Sequence, residues 1–201
     1  MARRHGWAGS PPADEPEARR RIIEAAMRCA DRDGPAKFTL RDVASELGVI
    51  RQTVYRYYAS TDELFAAVGE AAAEAFVEEL TQHLRHIARP AGWVVEALAS
   101  AIEWLPARRY LTLLLAAGRP GPFARGVTSA TSMQIGRELF KRSAIDWAAA
   151  GYDDRRLDEL IELMLRILQS MIIDPPRPQR TGPQLRAYLE HWIAPAVAAG
   201  P

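Results

Sequence analysis

Residues 39–58 constrain the fold more than any other part of the chain. Leu40, Val43, Ala44 and Leu47 fall on one face of a short helix. Gly48 and Val49 follow at once, and a second helical stretch, 51–57, begins with almost no linker. Two short helices joined by a turn of roughly three to four residues that contains glycine make a helix-turn-helix corner. Ala44 is small where the two helices must approach, Gly48 permits the turn, and Val54 faces back to the core. Thr39 with Asp42 three residues on gives the first of these helices a capping-box start.

The rest of the chain reads the same way. Helical periodicity begins near Glu17 and dominates to the end. No window alternates apolar and polar residues between turn signals, so no strand is expected. Turn residues at 34–35, 48, 59–60, 90–92, 106, 118–122, 151 and 174–183 divide an all-α fold into about nine helices. The expected organisation is a flexible tail over 1–16, a three-helix module over 17–66 and a larger helical part over 67–201. Charge follows this division. Residues 1–61 hold 11 basic and 8 acidic side chains, a net of +3, and residues 62–201 hold 15 and 17, a net of −2. The sign suits a nucleic-acid-facing amino-terminal module, although chance unevenness accounts for it equally well.

The stretch 51–57 exposes Arg51, Gln52, Thr53, Tyr55, Arg56 and Tyr57, two arginines and no acid. Such side chains donate to phosphates and read base edges in a major groove. Here residues 39–47, Gly48-Val49, Val54-Tyr55-Arg56-Tyr57-Tyr58 and Asp62-Glu63-Leu64-Phe65 resemble the DNA-binding domain of the TetR family of bacterial transcriptional regulators. The match covers roughly 17–66. The resemblance implies that Thr39 and Arg41 touch phosphates and that Arg51, Gln52 and Thr53 read bases. Tyr55 and Tyr57 would meet phosphate or sugar, the Tyr55 ring being partly packed, and Arg56 a phosphate or a base. Two positions depart from the family. Ile50 stands where Ser or Thr is common and cannot cap a helix, a loss of about 1 kcal/mol. Thr61 stands where a phosphate-gripping Lys is common; it keeps a hydroxyl and loses the charge. Arg3, Arg4 and the run Arg19-Arg20-Arg21 are possible substitutes, against the plainer reading of 1–16 as a solvated tail.

Downstream, Ser60 and Glu63 make a second capping box that starts a long helix to about His86. Glu79, His83 and His86 have metal-ligand spacing, but Glu78, Gln82, Arg85 and Arg89 around them mark a solvated face, and no metal or cofactor is expected. Residues 126–136 carry no charge and set small polar groups among apolar ones, as small-molecule chambers do. The resemblance implies such a chamber here, and Phe76, Trp93, Trp104, Tyr110, Leu111, Leu114, Phe123, Met133, Gln134 and Met164 are its candidate lining, for an apolar effector of fatty-acyl or aromatic type. The helices 153–173 and 184–198 are apolar on more than one side. A helix of that kind needs a second partner. Leu160, Leu163, Ile167, Met171, Leu185, Leu189 and Trp192 are the candidate contacts of a symmetric homodimer.

The exclusions agree. A net charge of +1 rules out a histone-like or polyanionic protein, and the single cysteine, Cys29, rules out an internal disulfide. No stretch free of charged side chains exceeds 11 residues, too short for a membrane span, and no leader is visible, so a cytoplasmic protein is expected. There is no Gly-x-Ser-x-Gly elbow, no His-Glu-x-x-His and no phosphate-cradling glycine loop, so no enzyme is expected. The expected function is a ligand-responsive repressor that leaves a palindromic double-stranded DNA operator when the effector binds. The alternative is a helical ligand-binding protein or enzyme without DNA contact.

Overall fold

Long apolar stripes at helical spacing leave little room for any other element, and among the described residues every regular element is a helix. The computed structural model describes residues 6–34, 37–108, 110–111 and 128–200. Within them nine α-helices follow in order: α1 Glu15–Asp33, α2 Leu40–Leu47, α3 Arg51–Tyr55, α4 Thr61–Leu84, α5 Pro90–Trp104, α6 Ala130–Lys141, α7 Asp154–Ile173, α8 Gly182–Trp192 and α9 Ala194–Ala198. No described helix is long and apolar enough to cross a membrane. The chain divides into two compact units, Met1–Ala72 with Arg109–Ala117, and Ala73–Arg108 with Gly118–Pro201.

In the first unit α1 supplies small residues to the core. Ala18, Ile22, Ala25, Ala26, Cys29 and Ala30 are buried, and α2 packs against them with Leu40, Val43, Ala44 and Leu47. Burial pushes the Cys29 thiol up, which suits a core residue and not a nucleophile. Arg28 and Arg32 of α1 both hold the Glu46 carboxylate of α2, at 3.0 and 2.9 Å, and keep its pKa below the usual range. The start of α1 differs from expectation. Asp14 caps it by accepting the Glu17 N–H at 2.8 Å, with Pro16 in the first turn, so the helix begins at Glu15. Residues 6–14, expected as part of a flexible tail, hold defined contacts: Trp7 packs on the core of this unit and Arg21 donates to the Ser10 carbonyl. The core also recruits Tyr110 from the middle of the chain, and its hydroxyl donates to the Met27 carbonyl at 3.2 Å.

The second unit is built on α5. Its residues 93–95 and 97–102 are all buried, as a helix apolar on every side requires. α7, α8 and α9 pack around it. Trp93, Phe140, Trp147 and Tyr152 form a chain of edge-on and tilted rings with centroids 4.7 to 5.7 Å apart. Their polar ends are satisfied: Trp147 Nε1 donates to Ser143 Oγ at 2.8 Å and the Tyr152 hydroxyl to the Val197 carbonyl at 3.1 Å. The single helix expected over 184–198 is two, α8 and α9. Pro195 has no N–H to give and breaks the ladder there.

Gly136 sits where α6 crosses α7. A Cβ there would stand 2.4 Å from Ile161 Cγ2, on a buried β-branched side chain with few rotamers to yield. Gly136→Ala gains about 1 kcal/mol of helix propensity but overpacks a filled site, which costs about 3 kcal/mol at this separation. A net loss of about 2 kcal/mol is expected, read as a thermal midpoint lowered by roughly 4–8 °C. An unchanged or raised midpoint would show that the crossing is loose.

Candidate nucleic-acid interface

The corner is built by local hydrogen bonds. Both the Thr39 N–H and its hydroxyl donate to Asp42 Oδ2, at 2.8 and 2.7 Å. These two bonds, the hydroxyl's first, hold the Asp42 carboxyl below its ordinary range and pin the start of α2. Gly48 takes the left-handed conformation, φ 66°, and ends the helix. Its N–H reaches the Ser45 carbonyl at 3.1 Å and the Val49 N–H the Ala44 carbonyl at 2.9 Å, a Schellman closure that turns the chain toward α3.

α3 starts without help from a side chain. Ile50 is 71% exposed and makes no cap, as its chemistry dictates. Five residues do not hold a helix alone. α3 is held by Val54, Tyr57 and Tyr58, all buried in the core of the unit. The Tyr57 N–H turns onto the Val54 carbonyl at 3.0 Å, ending the helix at Tyr55 and sending the next two rings inward. Tyr57 is therefore not on the exposed face where the sequence reading put it; only 8% of it is accessible. Arg19 of α1 braces this end. It donates to the Tyr57 carbonyl at 3.1 Å and lies over the Tyr58 ring at 5.3 Å.

The outward face carries Arg51, Gln52, Tyr55 and Arg56, with Thr53 half-buried beside them. Arg51 stacks on Tyr55, one turn on, at 4.7 Å. Arg56 lies over the Tyr57 ring at 4.8 Å and donates to its hydroxyl. These contacts order two guanidinium groups without neutralising them. Among the described residues no carboxylate pairs with Arg41, Arg51 or Arg56. The contrast with α1 is sharp. Arg19, Arg20 and Arg21 are held by Glu15, Glu24 and Glu17, so they are not free to replace a missing lysine. Arg41 and Thr39 are exposed at the start of α2, and Thr61 is half-buried at the start of α4. The Thr39 hydroxyl proton is committed to the cap. At the start of α4 the expected box forms in part: the Glu63 N–H donates to Ser60 Oγ at 3.1 Å, but the Glu63 carboxylate accepts from the Ala59 N–H, at 2.7 Å, one residue before the cap.

Residues 22–68 match the family model for bacterial regulatory proteins, tetR family. The amino-terminal part of the chain is thus similar to the DNA-binding domain of the TetR family. An uncharacterized HTH-type transcriptional regulator of Mycobacterium tuberculosis is 28% identical over 188 residues, which is 88% of this chain and 84% of that protein. The TetR-family repressor AlkX of Dietzia, implicated in biodegradation of n-alkanes, superposes with a TM-score of 0.60 at 20% identity, over 90% of this chain and 96% of its own. The multidrug binding protein EbrR, solved in complex with ethidium, gives 0.55 at 25% identity, over 92% of this chain and 99% of its own.

The other candidate residues fare unevenly. Trp93 and Met164 are buried in the core of the second unit, and Phe76, Trp104 and Met133 are half-buried against it. Gln134 points outward and donates to Glu138 at 3.1 Å, so it lines no chamber in this arrangement. Tyr110 belongs to the core of the first unit, and Leu111 is buried in that unit. Leu114 and Phe123 lie outside the described residues. Leu160, Leu185 and Leu189 are closed inside the second unit, packed with α5, and offer nothing to a second copy. Leu163 and Trp192 are 45% and 64% exposed, and Ile167 and Met171 are half-exposed on α7. The spacing at Glu79, His83 and His86 gathers no ligand set. Arg108 takes Glu79, Glu96 takes His83, and no described cluster fits a metal.

Proposed function

We propose that this chain is a TetR-family regulator, a homodimeric repressor that reads a palindromic operator with α3 and leaves it when a small apolar effector binds. The observation that carries the reading is the outward face of α3. It presents Arg51, Gln52 and Arg56 with no acid among them, on a helix seated by Val54, Tyr57 and Tyr58. Gln52 and Arg51 are the base-reading groups, with Thr53 at the edge of the face. Arg56, Arg41, Tyr55 and the Thr61 hydroxyl contact the phosphate backbone. Thr39 serves chiefly to fix the start of α2, so that Arg41 is correctly placed.

A palindrome needs two copies with recognition helices about 34–36 Å apart. Leu163, Ile167 and Met171 recur every fourth residue on α7; Leu163 and Trp192 of α8 are exposed, and Ile167 and Met171 are half-buried against the core beside them, an apolar edge that a second copy would cover. The effector would lie against Phe76, Trp104 and Met133, all half-buried against the core of the second unit. Similarity to a protein solved with ethidium supports a flat aromatic molecule. A hundredfold release needs only about 2.7 kcal/mol of coupling.

The test is binding of the full chain to a duplex taken from upstream of its own gene, across a salt series. Sequence preference over an unrelated duplex, with affinity falling steeply as salt rises, is expected. Equal binding to both duplexes, or none, would overturn the reading.

A further inference from the structure

Ile50 is the most exposed of the large apolar side chains among the described residues. It stands in the turn between α2 and α3, directly before Arg51 and Gln52. Its backbone is extended, φ −73° and ψ 147°, and its carbonyl accepts the Thr53 N–H at 2.9 Å, so the main chain of Ile50 starts α3. The side chain takes no part in this. It makes no cap and belongs to neither core. Val49, one residue earlier, packs on the core of the first unit, and Ile50 is left outside. A single exposed isoleucine needs no explanation by itself. This one opens the exposed run Ile50-Arg51-Gln52, whose last two members are the proposed base readers.

An isoleucine side chain has no hydrogen-bonding group. It can neither grip a phosphate nor read a donor or acceptor on a base. The base edges of the major groove present one apolar group of matching kind, the C5-methyl of thymine, and apolar side chains recognise it by contact. Bringing the two together takes both surfaces out of water, which is favourable in proportion to the area covered. We infer that Ile50 is a specificity-determining residue, whose side chain packs on the 5-methyl group of a thymine in the half-site read by α3. The inference rests on the α3 reading and deepens it. Gln52 suits the hydrogen-bonding edge of an adenine, and Ile50 adds a test that no hydrogen bond can make. Together they select A·T pairs where the half-site faces the entry to α3. The uncapped start of α3 fits this use: a serine in the same place would hold the helix better and would have no branched apolar surface to offer.

The experiment binds the full chain to the duplex from upstream of its own gene, with thymines exchanged one at a time for deoxyuridine. The exchange removes only the methyl group and keeps every hydrogen-bonding group of the base. Wild type is expected to lose about fourfold in affinity when the contacted thymine of one half-site is exchanged and roughly fifteenfold when both are, the effect of covering one carbon in each. Ile50→Ser should bind the unmodified duplex more weakly, with an unchanged slope against salt because no charge is lost. It should also bind the thymine and uracil duplexes alike. Ile50→Val keeps a branched apolar group and should still tell them apart. A folding defect would not give this pattern, since serine supplies the missing cap and Ile50→Ser should melt no lower than wild type. If Ile50→Ser binds too weakly to measure, Ile50→Ala serves the same comparison. A wild type indifferent to every exchange overturns the inference. So does a uracil effect of equal size in the variant, which would put the methyl on another residue. Either result leaves the α3 reading standing, provided that Gln52→Ala loses sequence preference. A wild-type chain with no preference for the duplex overturns both.

Discussion

Gln52→Ala is expected to lower affinity for the operator by roughly 30- to 10⁴-fold while leaving the salt dependence of binding unchanged. Gln52 is exposed in the first turn of α3, and its amide makes no bond to another described residue. Its two hydrogen-bonding ends are free for the two edge groups of an adenine. One such bidentate pair discriminates by about 1–3 kcal/mol. Two half-sites double that, to about 2–6 kcal/mol, which spans the range given. The side chain is neutral and neutralises no phosphate, so the slope against salt should not move. Nor should the fold, since a surface substitution away from caps and core typically stays within about 0.5 kcal/mol. Arg51→Ala on the same face should differ in kind, losing affinity and slope together. Competition mobility shifts with the specific and an unrelated duplex separate these effects. If Gln52→Ala binds the specific duplex as tightly as wild type, base reading by this face is wrong.

The helix-turn-helix corner was legible because it is local. Thr39, Asp42, Ala44, Gly48 and Val54 act within one or two turns of their own position, so spacing alone predicts what they do. Tyr57 was legible too, yet misplaced. Val54, Tyr57 and Tyr58 stand at i, i+3 and i+4, the spacing of one buried face, but a tyrosine beside two arginines also reads as a phosphate contact. Periodicity had the stronger physical claim. On α7 and α8 periodicity could not decide. Both helices are apolar on more than one side, and no pattern along one strand of sequence tells which stripe meets α5 and which remains for a second copy. Leu160, Leu185 and Leu189 pack with α5, and Leu163 and Trp192 stay exposed. Two features had no local signal at all. Tyr110 joins a core laid down by residues far earlier in the chain, and the segment over 6–14 is poor in helix formers yet carries one large ring and one glycine at a contact point. A composition that forbids a helix does not forbid packing.

Glu96→Gln should unsettle the second unit most, and in a manner that depends on pH. Glu96 lies in α5 with its side chain 18% exposed. Arg186 of α8 grips both of its oxygens at 2.7 Å, His83 of α4 approaches at 2.9 Å, and the buried Ser100 hydroxyl donates at 3.0 Å. Arg186 also reaches Glu103 at 3.2 Å, and Glu103 accepts the Gly182 N–H at the start of α8. Burial by itself would raise the Glu96 carboxyl; the bonds from Arg186, His83 and Ser100 outweigh it and hold it down at about 2, from an ordinary 4.5. A depression of that size corresponds to about 3 kcal/mol of stability at neutral pH. The variant leaves Arg186 half-buried with only Glu103 to balance it, and removing one partner from such a pair costs about as much again as its charge was worth. A loss of about 3 kcal/mol is therefore expected at pH 7, a midpoint lowered by roughly 6–12 °C. The sign with pH follows from the depressed value. The contribution is complete above 4.5, where the unfolded carboxyl is ionised, and disappears as pH falls through 4.5 toward about 2, where the folded one takes its proton. Wild type and variant should thus differ most near neutrality and converge in acid, followed by thermal unfolding at pH 7, 5 and 3. A gap that stays constant across that range would mean that packing, and not the charge on Glu96, joins α8 to α5.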